Sequence, residues 1–375
     1  MIPMARPVLG DREEELVLEV LRSGQLSLGR RLPEFERHFA ARIGAGHASA
    51  VSSGTAGLHL ALRAVGVERG DEVVTSPFSF VASANVALYE GARPVFADID
   101  PVTFNLDPAA ARAAVTDRTK ALLPVHIFGA PADIPAFETF RLPIVEDACE
   151  ALGAVHDDGT PVGSRGHPAV FAFYANKQMT TGEGGMVVCD AATKERIDSE
   201  RNQGRAPDMG WLDHDRLGFN YRMTELQAAL GIAQLERLDA MLADRARVAG
   251  WYRDALADVD VTPPADLPGR SWFVYVVQLP GGIDRDDTIR ALRERGVDAK
   301  PYLPAIHLFA YYRERFGHRE GEFPVAEDIG RRSIALPFFP ALTEGEVATV
   351  AEALRAVLES RHGGGGAAGA ARGTA

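Results

Sequence analysis

Four short segments of this chain hold the residue types that could do covalent chemistry on a small molecule. Ser52-Ser53-Gly54-Thr55-Ala56-Gly57 places small residues at the head of an apolar helical pattern. Such a turn exposes backbone N–H groups at a helix N-terminus, where the dipole favours an anion such as phosphate. It lacks the GxxxxGK[ST] spacing of a nucleotide P-loop, and taken alone an N-cap by Ser53 or Thr55 would look the same. Ile144-Val145-Glu146-Asp147-Ala148-Cys149-Glu150 sets a carboxylate directly after an apolar run. The stretch from Phe171 to Gly185 carries Lys177 in a polar loop ahead of Gly182, Gly184 and Gly185. Glycines let backbone approach a ligand closely, and a lysine in a low-dielectric cleft has a lowered pKa and can form a Schiff base. Gly218-Phe219-Asn220-Tyr221-Arg222-Met223-Thr224-Glu225 leads into a long helical pattern and also reads as its cap. A phosphate cradle, an aspartate and a lysine together are what pyridoxal phosphate needs. The lysine holds its aldehyde, and the aspartate keeps its ring nitrogen protonated so that the ring acts as an electron sink. Phe80, after Ser76-Pro77-Phe78-Ser79, is placed to cover the ring face.

Elements must bring these segments together. Short continuous apolar runs at 72–75, 94–97, 121–125, 143–146, 169–173 and 185–189 read as strands buried on both faces. Helical patterns at 11–23, 32–43, 55–65, 80–90 and 107–116 surround and separate them. Repeated strand–helix alternation predicts an α/β domain with a mostly parallel sheet flanked by helices, whose ligands bind beyond the carboxyl ends of the strands. One long helix is predicted over 223–245. After about residue 250 the texture changes to a strand at 272–278, helices at 286–296 and 345–359, and a Pro-rich stretch at 300–308. The expected organisation is a large domain over 1–248, a smaller α+β domain over 249–360, and a disordered Gly/Ala-rich tail over 361–375.

Composition narrows the partners. With 375 residues and 46% hydrophobic content the chain can bury a large core, which excludes a disordered or disulfide-stapled class. Its 40 basic and 52 acidic side chains leave a net charge of -12, so nucleic acid and anionic membrane are not expected partners. Two cysteines without metal-ligand spacing, no apolar leader and no long apolar span lead to the expectation of a cytoplasmic protein without a metal.

The motifs VSSGTAGLHLAL, GDEVVTSPFSFVASAN, PVFADID, PVHIFGAPAD, VEDACEALGA, NKQMTTGEGGM, GFNYRMTELQAALG and ALPFFPALTEGE run in order over roughly residues 2–360. In this the chain resembles the DegT/DnrJ/EryC1/StrS sugar aminotransferases, which have the fold-type-I architecture of pyridoxal-phosphate enzymes. The resemblance implies that Lys177 is the Schiff-base lysine and Asp147 the partner of the pyridinium nitrogen. It implies that the Ser53–Ala56 turn, through the N–H groups of Thr55 and Ala56, holds the phosphate, and that Phe80 stacks on the ring. Asn220 would reach the phosphate of the neighbouring subunit's cofactor, so the active sites of a homodimer would be shared. Two positions depart from the pattern. Ala172 stands where many members have a phosphate-binding serine, and Glu150 where many have glutamine near the cofactor's phenolic oxygen. Related sugar 3-dehydratases carry histidine in place of the lysine, so Lys177 favours transamination.

The function expected from the resemblance is transfer of an amino group from L-glutamate, through pyridoxamine phosphate, to a nucleoside-diphosphate keto-deoxysugar. Lys177 would be the general base and acid. A keto-cyclitol or other small ketone as acceptor, and a non-catalytic regulatory protein on the same scaffold, are the alternatives. Arg30, Arg222, Lys300, Arg331 and Arg332 are the basic candidates for the diphosphate. Tyr302 and His307, in Lys300-Pro301-Tyr302-Leu303-Pro304-Ala305-Ile306-His307, are candidates for the substrate side.

Overall fold

The computed structural model describes residues 1–206 and 213–364, with side chains as far as 361. Seven strands make the central sheet: β1 (His47–Val51), β2 (Glu72–Thr75), β3 (Arg93–Phe96), β4 (Thr119–Leu123), β5 (Glu146–Asp147), β6 (Ala169–Ala172) and β7 (Gly185–Cys189). Their ladders run β3-β2-β4 and β1-β7-β6-β5. Parallel bridges Leu122–Ile144 and Val125–Asp147 join the two into the order β3-β2-β4-β5-β6-β7-β1. Only β7 runs against the rest, pairing antiparallel with both β6 and β1. The mostly parallel α/β sheet expected from the alternation is therefore present.

Side-chain alternation explains why helices cover both faces. Val170 and Val187 face one core with Leu58, Leu60 and Leu62 of α3 (Gly54–Ala64) and Val86 of α4 (Ala82–Tyr89). Their neighbours Phe171, Met186 and Val188 face the opposite core. There they meet α1 (Asp11–Ser23) through Leu16 and Val20, and α2 (Arg31–Ile43) through Phe35 and Phe39. The edge near β3 is closed by α5 (Pro108–Ala114) and α6 (Ile134–Glu138), and α7 (Ala191–Glu200) follows β7.

The single helix expected over 223–245 is two. α8 (Glu225–Glu236) ends at Arg237, whose φ of -112° and ψ of 10° leave the helical region, and α9 (Leu238–Ala255) continues beyond it. No Gly or Pro marks the break. Strand β1 was not anticipated: His47-Ala48-Ser49-Ala50-Val51 has no bulky apolar run, and its burial comes from pairing with β7.

A second sheet, β8 (Tyr275–Gln278), β10 (Ser333–Leu336) and β9 (Lys300–Pro301), is antiparallel with β10 in the middle. It shares a core with α10 (Arg285–Glu294), α13 (Glu344–Gly364) and the second half of α9, through Tyr252, Tyr275, Leu292 and Leu354. Two short helices, α11 (Ala310–Phe316) and α12 (Pro324–Arg332), lie between β9 and β10. The expected boundary at 248/249 falls inside α9. Leu238 and Met241 join the sheet core, while Val248, Ala249 and Tyr252 join the second core. Of the expected tail, 361–364 are helical and 365–375 lie outside the described residues.

Candidate active site

A cavity of about 480 Å³ opens beyond the carboxyl ends of β5 and β6. Ser53, Gly54, Thr55, Phe80, Asp147, Glu150, Ala172, Lys177 and Tyr302 all line it. Residues separated by up to 249 positions thus converge at the sheet edge where ligands of α/β folds bind.

The turn from β1 into α3 forms one wall. The hydroxyl of Ser53 accepts the Ala56 N–H at 3.1 Å, capping the helix. That bond occupies the Ala56 donor and leaves the N–H groups of Gly54 and Thr55, in the first turn of α3, without an intrahelical acceptor. A side chain at position 54 would come within 2.8 Å of Ala172 Cβ and 2.9 Å of Cys149 Sγ, so only glycine leaves the turn this close to the floor.

Asp147 ends β5 and is buried. Its Oδ2 accepts the Ser83 hydroxyl at 2.8 Å, and its Oδ1 accepts the Cys149 N–H at 3.1 Å. Ser79 lies 2.8 Å from Ser83, which extends the support into α4. Two serines of the GDEVVTSPFSFVASAN motif, neither given a role from the sequence, therefore fix the carboxylate's orientation. Their signal was their position beside Phe80.

Glu150 is also buried. Its Oε2 accepts the Phe128 N–H at 3.0 Å, and its Oε1 lies 3.4 Å from Lys177 Nζ. Burial pushes the Glu150 carboxyl above its usual range, against the opposing pull of Lys177 and the Phe128 N–H. Phe128 reaches it from a left-handed conformation at φ 53°, rare for a bulky side chain. The next residue, Gly129, has φ 83°, and a Cβ there would sit 1.4 Å from the Ser271 carbonyl oxygen, so the backbone approach demands glycine.

Lys177 sits in the loop between β6 and β7. Phe173 N–H bonds to the Gly184 carbonyl at 2.9 Å and Lys177 N–H to the Tyr174 carbonyl at 3.0 Å, closing the loop on itself. The ammonium rests 4.0 Å from the centre of the Phe273 ring. Phe273 was not anticipated, because it precedes a strand of the other sheet and is about a hundred residues from the lysine. Tyr302 enters from the same side, and burial holds its phenol well above the usual range. Phe80 stands at the mouth with 62% of its surface exposed.

Other expected residues lie elsewhere. His307 is fully buried, its Nε2 3.0 Å from Glu327 and its ring 4.7 Å from Phe323. The short helical turn Ile306–Leu308 faces it inward, so it does not line the cavity. Arg30 is exposed beside Glu19, and Lys300 lies beside Asp298. Arg331 pairs with Glu320, and Arg332 with Asp328. Arg222 donates to Asn202 at 3.0 Å, and Asn220 is exposed on the same strand-like segment, bridged to Asn202. Neither lines the cavity, and among its described lining residues there is no arginine. No cluster of metal-ligating side chains occurs among the described residues, and no described helix is long and apolar enough to cross a membrane.

A lysine, a braced aspartate and a helix N-terminus around one cavity at the end of a mostly parallel sheet define a pyridoxal-phosphate aminotransferase of fold type I. A family profile matches residues 7–355, and the chain belongs to the DegT/DnrJ/EryC1/StrS aminotransferase family. It is 42% identical to the GDP-perosamine synthase of Caulobacter vibrioides, over 95% of this chain and 98% of that relative. It is 38% identical to the spore coat polysaccharide biosynthesis protein SpsC of Bacillus subtilis, over 96% and 97%. Among solved structures it is similar to DesV of S. venezuelae in complex with a ketimine intermediate. The TM-score there is 0.86 at 34% identity, covering 92% of this chain and 93% of that one.

Proposed function

We propose that the chain moves an amino group from L-glutamate to a nucleoside-diphosphate keto-deoxysugar, as a homodimer whose active sites are shared between subunits. The observation that carries this reading is the convergence of Lys177, Asp147 and the α3 N-terminus on one cavity. The nature of the acceptor is supported by the likeness to GDP-perosamine synthase.

The cavity fits pyridoxal phosphate. Position 54, where any Cβ would collide with Ala172 and Cys149, leaves bare N–H groups for the phosphate. The braced, buried carboxylate of Asp147 suits a protonated ring nitrogen. Bound there, the cofactor supplies the sink for the electron pair left when a proton leaves the amino-bearing carbon. Asp147 orients the ring and favours its protonated state. Lys177 Nζ takes and returns the proton. Glu150 stays close enough to hold the ammonium in place, and its raised pKa lowers the repulsion with Asp147. Phe80 and Tyr302 narrow the mouth against water.

Ala172 offers no hydroxyl, while Ser53, whose oxygen accepts the Ala56 N–H, keeps its O–H free to donate to the phosphate. The remaining phosphate contacts are assigned to Asn220 of the partner subunit, with Arg222 beside it facing the substrate's diphosphate. This agrees with both residues being turned away from their own chain's cavity.

The test incubates the purified protein with L-glutamate and a panel of nucleotide keto-deoxysugars and free keto-cyclitols. Release of 2-oxoglutarate and the amino product are read by mass. The expected result is amination of a nucleotide sugar, and about a 10³-fold loss in Lys177→Ala, in the range of a lost acid–base group. Amination of the cyclitols alone would overturn the sugar acceptor, and full activity in Lys177→Ala would overturn the lysine's role.

A further inference from the structure

Arg245, on α9, is a buried cation without a buried anion. Its surface is 3% exposed, and among the described residues no carboxylate pairs with it. Burying an unpaired charge is costly, so the contacts that replace water deserve a reason. The guanidinium lies 5.8 Å from the centre of the Phe338 ring and its Nε has no partner, but every hydrogen bond it makes goes to a backbone carbonyl. Nη1 donates to Phe273 at 3.0 Å, and Nη2 donates to Lys177 at 2.9 Å and to Asn176 at 3.4 Å.

These carbonyls belong to two segments that meet at one atom. Asn176 and Lys177 are the backbone from which the active-site lysine projects. Phe273 bears the ring on which the Lys177 ammonium rests, 4.0 Å from its centre. One planar guanidinium thus grips the support of the side chain and the support of its tip. Only a fork of fixed geometry can do both, since an ammonium is a single point with no planar spread.

We propose that Arg245 is a positioning residue of the active site: it sets where Lys177 Nζ stands by tying the lysine's own backbone to Phe273. The proposal rests on Lys177 being the residue that holds the cofactor. A second consequence follows from its charge. Burial lowers the Arg245 guanidinium only to about 10, so it remains charged at neutral pH. A fixed cation opposes the gain of a further positive charge nearby. Glu150, at 3.4 Å from Lys177 Nζ, and Asp147 are carboxylates of the same cavity, while Cys149 and Tyr302 line it as neutral groups held so by burial.

The experiment uses the full-length enzyme with pyridoxal phosphate, as wild type, Arg245→Lys, Arg245→Gln, Phe273→Leu and the Arg245→Lys/Phe273→Leu pair. Arg245→Lys keeps a cation and loses the fork, whereas Arg245→Gln loses both. We expect both to lower kcat about tenfold or more while the KM for L-glutamate stays within about twofold, the pattern of a misplaced group. The pH midpoint of the cofactor's visible band should rise by about half a unit or more in Arg245→Gln and stay near wild type in Arg245→Lys. The paired variant should lose less than the product of the single losses, because both act on one atom. Unchanged kcat and titration in both Arg245 variants would overturn the proposal. So would a lower melting temperature with an unmoved titration in Arg245→Gln and multiplicative losses in the pair. Borohydride fixation in the wild type, read by peptide mass, tests separately whether Lys177 is the cofactor-holding lysine.

Discussion

Asp147 and Asn220 are placed on opposite terms. Asp147 ends a strand of the central sheet and is buried, with both carboxylate oxygens bonded inside its own chain. Asn220 is exposed, on a segment that runs past the β1 turn through the Ser52 N–H to Tyr221 carbonyl bond. Within one chain the structure completes the floor of the cavity, whereas Asn220 lies outside it. A floor residue can be judged by what surrounds it here, whereas on the proposed reading Asn220 acts on the cavity of a second copy. The same reading would let a chain of net charge -12 take a diphosphate sugar although no arginine is among the described residues lining its cavity.

Breaking the floor should have the largest effect. Asp147→Ala removes the carboxylate proposed to face the ring nitrogen. It should cost about 10²-fold in kcat/KM, in line with a lost charged hydrogen bond of about 1.5–3 kcal/mol. Steady-state kinetics at saturating pyridoxal phosphate checks this, and an effect below twofold would separate the floor from the chemistry.

The rim gives an intermediate effect and a sharper test. Asn220→Ala should weaken cofactor binding about tenfold, read by equilibrium titration of the apoenzyme. Refolding it together with Lys177→Ala should give about a quarter of all sites both the lysine and the asparagine, because half of the dimers are mixed and each holds one intact site, read as turnover at cofactor concentrations too low to load the Asn220→Ala enzyme. If each site were built from one chain, mixing would restore nothing.

His307 should have the smallest effect on catalysis. Burial holds its imidazole below the usual range, and Glu327, also held low, accepts from it. For a histidine depressed on folding, the unfolded chain binds more protons as pH falls below about 6.5, so stability is full above that pH and declines below it. Glu327 shifts stability in the same direction at lower pH. Replacing His307 with Gln should leave KM unchanged, lower the stability at pH 8 by about 1–3 kcal/mol, and flatten the acid-side decline in melting temperature.

The same contrast governs what the sequence disclosed. Asp147 ends an apolar run, Lys177 stands in a Gly-rich loop between two such runs, and the Ser53–Thr55 turn opens an apolar helix, so local pattern placed them. Ser83, Phe128 and Phe273 owe their roles to contacts across the fold: a hydroxyl on a mostly apolar helix, a left-handed backbone, a ring just ahead of the second sheet. No periodicity marks such positions. His307 was misjudged because a histidine near a Pro-rich loop looks accessible until Phe96 and Phe323 are seen to enclose it. The break at Arg237 left no trace because its residue types all favour helix.

Helix α9 carries its first turns in one core and its last turns in the other, and it is a single uninterrupted rod. Its two halves are therefore locked in phase. One residue inserted between Met241 and Val248 would rotate Val248, Ala249 and Tyr252 by about 100° relative to the sheet and swing the second core off its seat. Exchange of C-terminal parts between relatives can succeed only where the crossover keeps the turn count of this helix. The half beyond Val248 is in that sense geared to the half that holds the lysine.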